Sequence, residues 1–187
     1  MSTGEAAPVF APGLLKGRVA LVTGGGTGIC RGIALAFAAH GADVVITSRR
    51  AEHLEPTARE IEALGVRALA LPADVRDPAA VAEAVAAVEK TFGRLDIVVN
   101  GAAGNFVCAA EDLSPNGFGT VVDIDLKGTY NVSRACLPLL KVRGGSVLNI
   151  SATLHYLGTA AQIHVSAAKA GVDAVTRTLA VEWGPFG

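Results

Sequence analysis

Short β-branched runs alternate along the chain with longer stretches in which apolar residues recur every three or four positions. The runs at residues 19–23, 43–47, 67–71, 96–100 and 146–150 predict five strands. Between them Leu54, Ala58, Ile61 and Leu64 repeat at helical spacing, as do Val81, Ala84, Val85 and Val88, so each stripe is expected to cover one face of a sheet. Further helices are predicted over about residues 115–140 and 161–183. Strands separated by helices pair in parallel through right-handed crossovers, which gives a doubly wound α/β sheet with helices on both faces. Such a sheet normally continues past its fifth strand, and the last helix would otherwise leave an apolar face partly uncovered. Further C-terminal strands are therefore expected beyond Gly187. Residues 1–15 read as an N-terminal tail and residues 16–187 as a single, C-terminally incomplete domain.

Composition narrows what this domain can do. With 187 residues, 51% hydrophobic and 18% charged, the chain has the apolar content to build a core. Its formal net charge is −1 and its Lys and Arg residues are scattered, leaving no basic stripe to neutralise a phosphate backbone, so no nucleic-acid partner is expected. The opening residues carry Glu5, Pro8 and Pro12 and no basic segment ahead of an apolar one, so they do not read as a secretory signal. No apolar run approaches membrane-spanning length, and no membrane partner is expected. Cys30, Cys108 and Cys136 are odd in number and have no paired ligand spacing, which suits reduced core thiols in a reducing compartment and no metal site.

The first strand ends at Thr23, and residues 24–30 read Gly-Gly-Gly-Thr-Gly-Ile-Cys ahead of an amphipathic helix with Ile33, Ala34 and Phe37. Strand, tight turn and helix in that order is how a Rossmann-type three-layer α/β/α fold grips a dinucleotide. Glycines let the backbone approach a pyrophosphate whose charge the helix N-terminus favours. Gly24, Gly26, Thr27, Gly28 and Ile29 are the expected contacts. The spacing misses the strict G-x-G-x-x-G pattern, because Ile29 stands at the third glycine place, so context has to carry the reading.

That context comes from the ends of the next strands. Where an NAD site would place Asp or Glu on the ribose, the sequence reads Thr47, Ser48, Arg49, Arg50. A guanidinium at Arg49 suits a 2′-phosphate, so NADP(H) is expected over NAD(H), while Arg50 reads as a solvated surface charge. Asp74 and Val75 follow the third strand, with Asp74 able to accept from an adenine amino group, and Asn100 and Ala102 follow the fourth. All lie at carboxyl ends of strands, where such sheets take ligands.

Together the glycine turn, Asp74, the Asn100 segment and Lys169 resemble the short-chain dehydrogenase/reductase family over almost the whole chain from Lys16. Of that family's G-x-x-x-G-x-G pattern Gly24 and Gly28 match, and Cys30 replaces the third glycine. Within the family, residues 100–106 (NGAAGNF), 123–125 (DID) and 150–169 resemble the 2,4-dienoyl-CoA reductases, the peroxisomal type above all. The lead-in Phe10, Pro12, Leu14, Leu15 and the closing residues 180–184 (AVEWG) are similar to that group as well. The resemblance implies NADPH-dependent reduction of 2,4-dienoyl-CoA thioesters to 3-enoyl-CoA in the β-oxidation of unsaturated fatty acids. It also implies an acyl-CoA substrate, a homotetramer, and a setting in a bacterial cytoplasm or a peroxisome.

Ordinary members of the family pair a Ser with Tyr-x-x-x-Lys, in which the ammonium lowers the phenol pKa so that it exchanges a proton with a carbonyl. Here Lys169 is present, Val165 stands at the Tyr position and Ala152 at the Ser position. Neither transfers a proton, so poor turnover of simple alcohols is expected. Reducing a conjugated thioester needs other help, because charge collects on the thioester oxygen and one proton must be delivered. By resemblance Asn105 hydrogen-bonds the thioester carbonyl with Phe106 beside it at the substrate, and Lys169 holds the nicotinamide ribose and lends positive charge. Asp125 shares a helical face with Phe118, Val122 and Thr129, so it is expected to point inward, where with Lys169 it can hold a proton-donating water.

Tyr156, His155 and His164 are further candidates for the proton, or else ordinary loop and core residues, and Asp123 is expected to pair with Lys127 on the outer face. Two other readings stay open: another NADP-dependent enoyl-CoA or activated-alkene reductase, and a catalytically silent NADP-binding protein, since loss of both Ser and Tyr fits either.

Overall fold

The structure, a computed structural model, describes residues 9–187. Strands β1 (Val19–Thr23), β2 (Asp43–Ser48), β3 (Ala68–Pro72), β4 (Ile97–Asn100) and β5 (Ser146–Asn149) form one parallel sheet in the order β3-β2-β1-β4-β5. Each lies within one residue of its expected limits at either end. β1 and β2 are near-continuous apolar runs because both of their faces are covered, and Val22, Val44, Val45 and Ile46 are wholly buried.

Helices α1 (Gly28–Ala39) and α2 (Leu54–Ala63) pack one face through Ala34, Ala38, Leu54 and Ile61. Helices α3 (Pro78–Phe92) and α5 (Gly128–Leu140) pack the other through Val81, Val85, Val88, Val132 and Cys136. Burial pushes the Cys136 thiol up to about 12, which leaves it an inert core residue. The remaining helices are α4 (Pro115–Val122), α6 (Leu154–Leu157) and α7 (Ile163–Trp183). No helix among the described residues is long and apolar enough to cross a membrane.

Three differences from the sequence expectation have local causes. Leu64 is 48% exposed because α2 ends at Ala63 and Gly65 turns away at φ 85; Thr57 is fully buried beside Leu54 and Ile61, and its hydroxyl donates to the Gly26 carbonyl. The helical path over residues 115–140 is interrupted by a π-helical turn, Asp123–Lys127. The extra residue in that turn shifts the buried stripe, so upstream of it Val121 and not Val122 is buried, while Asp125 and Thr129 face inward as expected. The last helix starts at Ile163 because Ala161 has φ 58, outside helical geometry. Residues 1–8 of the expected tail lie outside the described residues. Closer to the domain, the Leu15 N–H donates to the His40 carbonyl and Phe10 meets the His40 ring edge-on.

The start of β1 is tied to β4 by Asp96, which is 3% exposed and accepts from the Val19 N–H at 2.8 Å, from Arg18 at 3.0 Å and from Arg94. Burial alone would raise its pKa, but the hydrogen bonds from Arg94, Val19 and Arg18 outweigh burial and hold it below the ordinary carboxylate range. A depressed native pKa adds stability that is present above the unfolded-state pKa and lost as pH falls through the native one. Asp96→Asn should therefore unfold more easily than wild type at neutral pH. Urea titrations between about pH 7 and pH 2 should show the two proteins converging in acid. A stability difference independent of pH would rule this out.

Candidate active site

The carboxyl ends of the first four strands open on a cleft of about 270 Å³, at the point where the order turns back with β2 on one side of β1 and β4 on the other. Of the residues expected to grip a dinucleotide, Gly24, Gly26, Thr27, Arg49, Asp74, Val75 and Ala102 line this cleft. Gly24 turns the chain at φ 70, and a β-carbon on it would come 3.1 Å from the Gly101 carbonyl, so neither strain nor space admits a side chain. A β-carbon on Gly26 would lie 2.5 Å from the His53 carbonyl. Thr27 begins α1 without a side-chain cap, leaving the first N–H groups of the helix for a ligand or solvent. Gly28 and Ile29 start α1 outside the cleft lining, and Ile29 is 74% exposed.

Ser48, Arg49, Arg50 and His53, from the end of β2 and the turn after it, also line the cleft. Arg50 is the solvated charge expected, its exposed side chain reaching Glu52 at 4.0 Å, and it lies at the edge of the cleft together with His53. The Asp74 carboxylate is held by Arg76 through Nε at 3.0 Å and Nη2 at 2.6 Å, which keeps it below the ordinary carboxylate range. Bare glycine backbone, an uncapped helix start and a wall with two guanidinium groups fit a dinucleotide and its phosphates.

Asn100, expected at the cofactor, has its side chain engaged within the fold. It is 4% exposed, and its Nδ2 donates to Ser133 Oγ at 2.9 Å and to Asn149 Oδ1 at 2.8 Å, so it ties β4 to α5 and β5. A buried amide needs such partners. Thr23, where the glycine turn begins, does the corresponding work for β1: its Oγ1 accepts from the N–H groups of Gly101 and Ala102, both at 3.0 Å. Cys30, at the third glycine position of the turn, fits because Gly101 lacks a side chain. A β-carbon there would lie 2.1 Å from Cys30 Sγ.

Next to Ile124, which lines the cleft, Asp125 forms a buried pair with Lys169. Asp125 is 1% exposed and Lys169 7%. The Lys169 ammonium donates to the Ile150 carbonyl at 2.8 Å and stands 3.2 Å from Asp125 Oδ2. That distance is an ion pair, but the hydrogen bond goes to Ile150, and Oδ2 accepts none. Asp125 Oδ1 accepts from the Gly104 N–H at 2.7 Å, an approach open because a β-carbon on Gly104 would meet Ile124 at 2.9 Å. The carboxylate projects from the π-helical turn, a geometry common at functional sites. Val165 is 4% exposed and carries nothing that exchanges a proton, nor does Ala152.

The other proton-donor candidates are engaged or covered. Asp173, one turn after Lys169 on α7, accepts from Tyr156 OH at 2.7 Å and from His155 Nε2 at 3.0 Å, and Ser151 bonds to it as well. The Ser151 bond, followed by that of Tyr156, holds the Asp173 carboxyl low, and the bond to Asp173 pushes the Tyr156 phenol up. Tyr156 therefore holds its proton against a carboxylate. His164 is fully buried, with neither ring nitrogen bonded and its ring 4.5 Å from that of Phe106. Asn105 and Phe106 are exposed on the loop after β4, and Asn105 Nδ2 donates to Gln162 Oε1 at 2.7 Å. Asp123 and Lys127 pair on the surface at 2.6 Å. Asp173 and Gln162 carried no sequence signal, since each gains its role from partners on another element.

Residues 18–187 match the family model described as short chain dehydrogenase. The chain belongs to the short chain dehydrogenase family. Membership, with the cleft described above, implies a nicotinamide dinucleotide cofactor. Among characterised relatives, the peroxisomal 2,4-dienoyl-CoA reductase [(3E)-enoyl-CoA-producing] of Arabidopsis thaliana is 51% identical over 184 residues, covering 94% of this chain and 62% of that protein. The Danio rerio protein of the same name is 49% identical over 181 residues, covering 96% and 60%. The chain thus spans about three-fifths of the length of these relatives. Among solved structures, a citronellol catabolism dehydrogenase of Pseudomonas aeruginosa PAO1 superposes with TM-score 0.91 at 38% identity, covering 96% of this chain and 74% of that one. An NAD+-bound xylitol dehydrogenase gives 0.90 at 26% identity, covering 93% and 68%.

Proposed function

We propose that this protein is an NADPH-dependent reductase of 2,4-dienoyl-CoA thioesters, yielding 3-enoyl-CoA in the β-oxidation of unsaturated fatty acids. The observation that carries the reading is the buried Asp125–Lys169 pair in a site where Val165 and Ala152 replace the hydroxyls of an alcohol dehydrogenase. The named relatives at about half identity support it. NADPH bound in the cleft would supply the hydride that C5 of the dienoyl group receives.

The chain's own residues handle the charge and the proton. As the C4=C5 electrons shift to C3=C4, negative charge moves to the thioester oxygen, where an Asn105 N–H donates to it. Phe106 lies against the substrate beside Asn105. Lys169 holds the nicotinamide ribose and sets its positive charge near the developing enolate. Asp125 Oδ2, buried and accepting no hydrogen bond, holds with Lys169 a water that passes a proton to C2 while taking one from the Lys169 ammonium, which solvent then reprotonates. Gly24, Gly26, Thr27, Gly28 and Ile29 take the pyrophosphate and nicotinamide half, and Asp74, Val75 and Ala102 line the adenosine side and the floor.

Cofactor choice follows from the wall of Ser48, Arg49, Arg50 and His53, which holds the 2′-phosphate. Charge-assisted bonds of this kind contribute about 1.5–3 kcal/mol. Arg49→Ala should weaken NADPH binding by about ten- to a hundredfold and leave NADH binding nearly unchanged, which calorimetry with both cofactors checks. Equal loss for both would move the 2′-phosphate elsewhere.

The assembly is a homotetramer, supported by exposed apolar residues such as Tyr130 on α5 and Val181 on α7. Its setting is the peroxisome in a eukaryote, as in the named relatives, or the cytoplasm in a bacterium. The substrate class is tested by comparing NADPH oxidation with a 2,4-dienoyl-CoA, a 2-enoyl-CoA and secondary-alcohol oxidation with NADP+. Rapid turnover of unactivated alcohols, or NADPH binding with no acyl-CoA turnover, would sink the reading.

A further inference from the structure

We propose that Gln162 is a positioning residue for Asn105: it fixes the Asn105 side-chain amide so that one N–H stays free for the thioester oxygen. What Asn105 meets rests on the dienoyl-CoA reading above; how Asn105 is held rests on geometry. The Phe106 N–H points at the Asn105 side chain at 2.9 Å, and a peptide N–H only donates, so the atom it meets is Oδ1. The other amide atom is then Nδ2. It lies 2.7 Å from the Gln162 amide, whose facing atom must be the acceptor Oε1. One backbone donor thus settles the orientation of both amides. An amide nitrogen has two hydrogens; Gln162 takes one, and the second remains on an exposed side chain.

The surrounding contacts hold this arrangement in register. Phe106 packs against His164, and the Cys108 N–H donates to the Ala161 carbonyl at 3.1 Å, so residues 105–108 are clasped to residues 161–164 by three contacts. Ala161, directly before Gln162, holds φ 58, a left-handed conformation that residues other than glycine seldom take. Strain of this sort persists where neighbouring contacts over-determine it, typically at ligand sites. Gln162 also stands directly before the first residue of α7, the helix that carries Lys169, and its side chain makes no cap bond there, so it is left for Asn105. The thioester donor and the buried cation are therefore referred to one rigid element, which favours reproducible geometry between them.

The test is a double-mutant cycle in the full-length protein: Asn105→Ala, Gln162→Leu and both together, with Gln162→Glu as the variant that keeps the acceptor. The readouts are kcat/KM for 2,4-hexadienoyl-CoA, the Kd of unreactive hexanoyl-CoA, and the Kd of NADPH. Asn105→Ala is expected to lower kcat/KM about a hundredfold and Gln162→Leu about tenfold, with NADPH affinity unchanged. The double variant should be no worse than Asn105→Ala, and Gln162→Glu should retain more activity than Gln162→Leu. Additive losses, full activity in Gln162→Leu, or weakened NADPH binding in that variant would overturn the proposal while leaving the reading of function standing. A wild-type protein that neither reduces a dienoyl-CoA nor binds hexanoyl-CoA would overturn that reading and the proposal together.

Discussion

Lys169→Met alone is expected to destabilise the protein by about 3–5 kcal/mol, and adding Asp125→Asn to recover most of that loss. The Asp125 side chain is wholly inaccessible and its Oδ2 accepts no hydrogen bond, so the ammonium 3.2 Å away is its only counter-charge among the described residues at that distance. Removing the lysine strands a buried carboxylate, whereas removing both charges leaves a neutral amide. The asparagine oxygen still accepts from the Gly104 N–H, the contact that Asp125 Oδ1 makes at 2.7 Å. Replacing a buried ion pair by neutral groups of similar volume is often close to neutral. Chemical denaturation of the four proteins measures the coupling. Equal losses in the single and double variants would mean that the Lys169 bond to Ile150, and not the charge pair, is what matters for stability.

The second large effect concerns the glycine turn. Gly101→Ala places a β-carbon 2.1 Å from Cys30 Sγ and 3.2 Å from the Thr23 carbonyl, so the thiol or the backbone must shift to admit the methyl. Overpacking of this kind costs typically about 1–3 kcal/mol. Here it should also weaken NADPH binding, because Thr23 fixes the Gly101 and Ala102 N–H groups beside the cleft. Cys30→Gly opens the space at the cost of a glycine in α1, about 1 kcal/mol. In the Cys30→Gly background Gly101→Ala should therefore be nearly free, a strongly non-additive pair measurable by urea unfolding and NADPH titration. Additive costs would show that the thiol has another place to turn.

Strand positions were legible because fully covered parallel strands need unbroken apolar runs, and residues 19–22 and 44–46 are such runs. Helical spacing with Thr129 was enough to turn Asp125 inward, although its supposed companion Val122 is not buried, and the missing hydroxyl at Val165 was legible only through the resemblance to the family's Tyr-x-x-x-Lys pattern. What could not be read depends on contacts across the fold. The exchange of bulk between Cys30 and Gly101 joins residues far apart in the chain. Asp173 becomes an acceptor centre only when α6 and the end of β5 bring His155, Tyr156 and Ser151 to it. The side-chain partners of Asn100, Asn149 and Ser133, likewise come from β5 and α5. His53 gains a place at the cleft only through the turn after β2.

The most direct test of the account is NADPH oxidation by the full-length protein with 2,4-hexadienoyl-CoA, repeated with Asp125→Asn and with the Asp125→Asn, Lys169→Met pair. Wild type should form 3-hexenoyl-CoA. Both variants should lose about a hundredfold or more in kcat, the pair doing so despite its recovered stability, because general acid–base and electrostatic help of this kind is worth roughly 10²–10⁴. Unchanged rates in both would contradict the central claim that the buried pair delivers the proton.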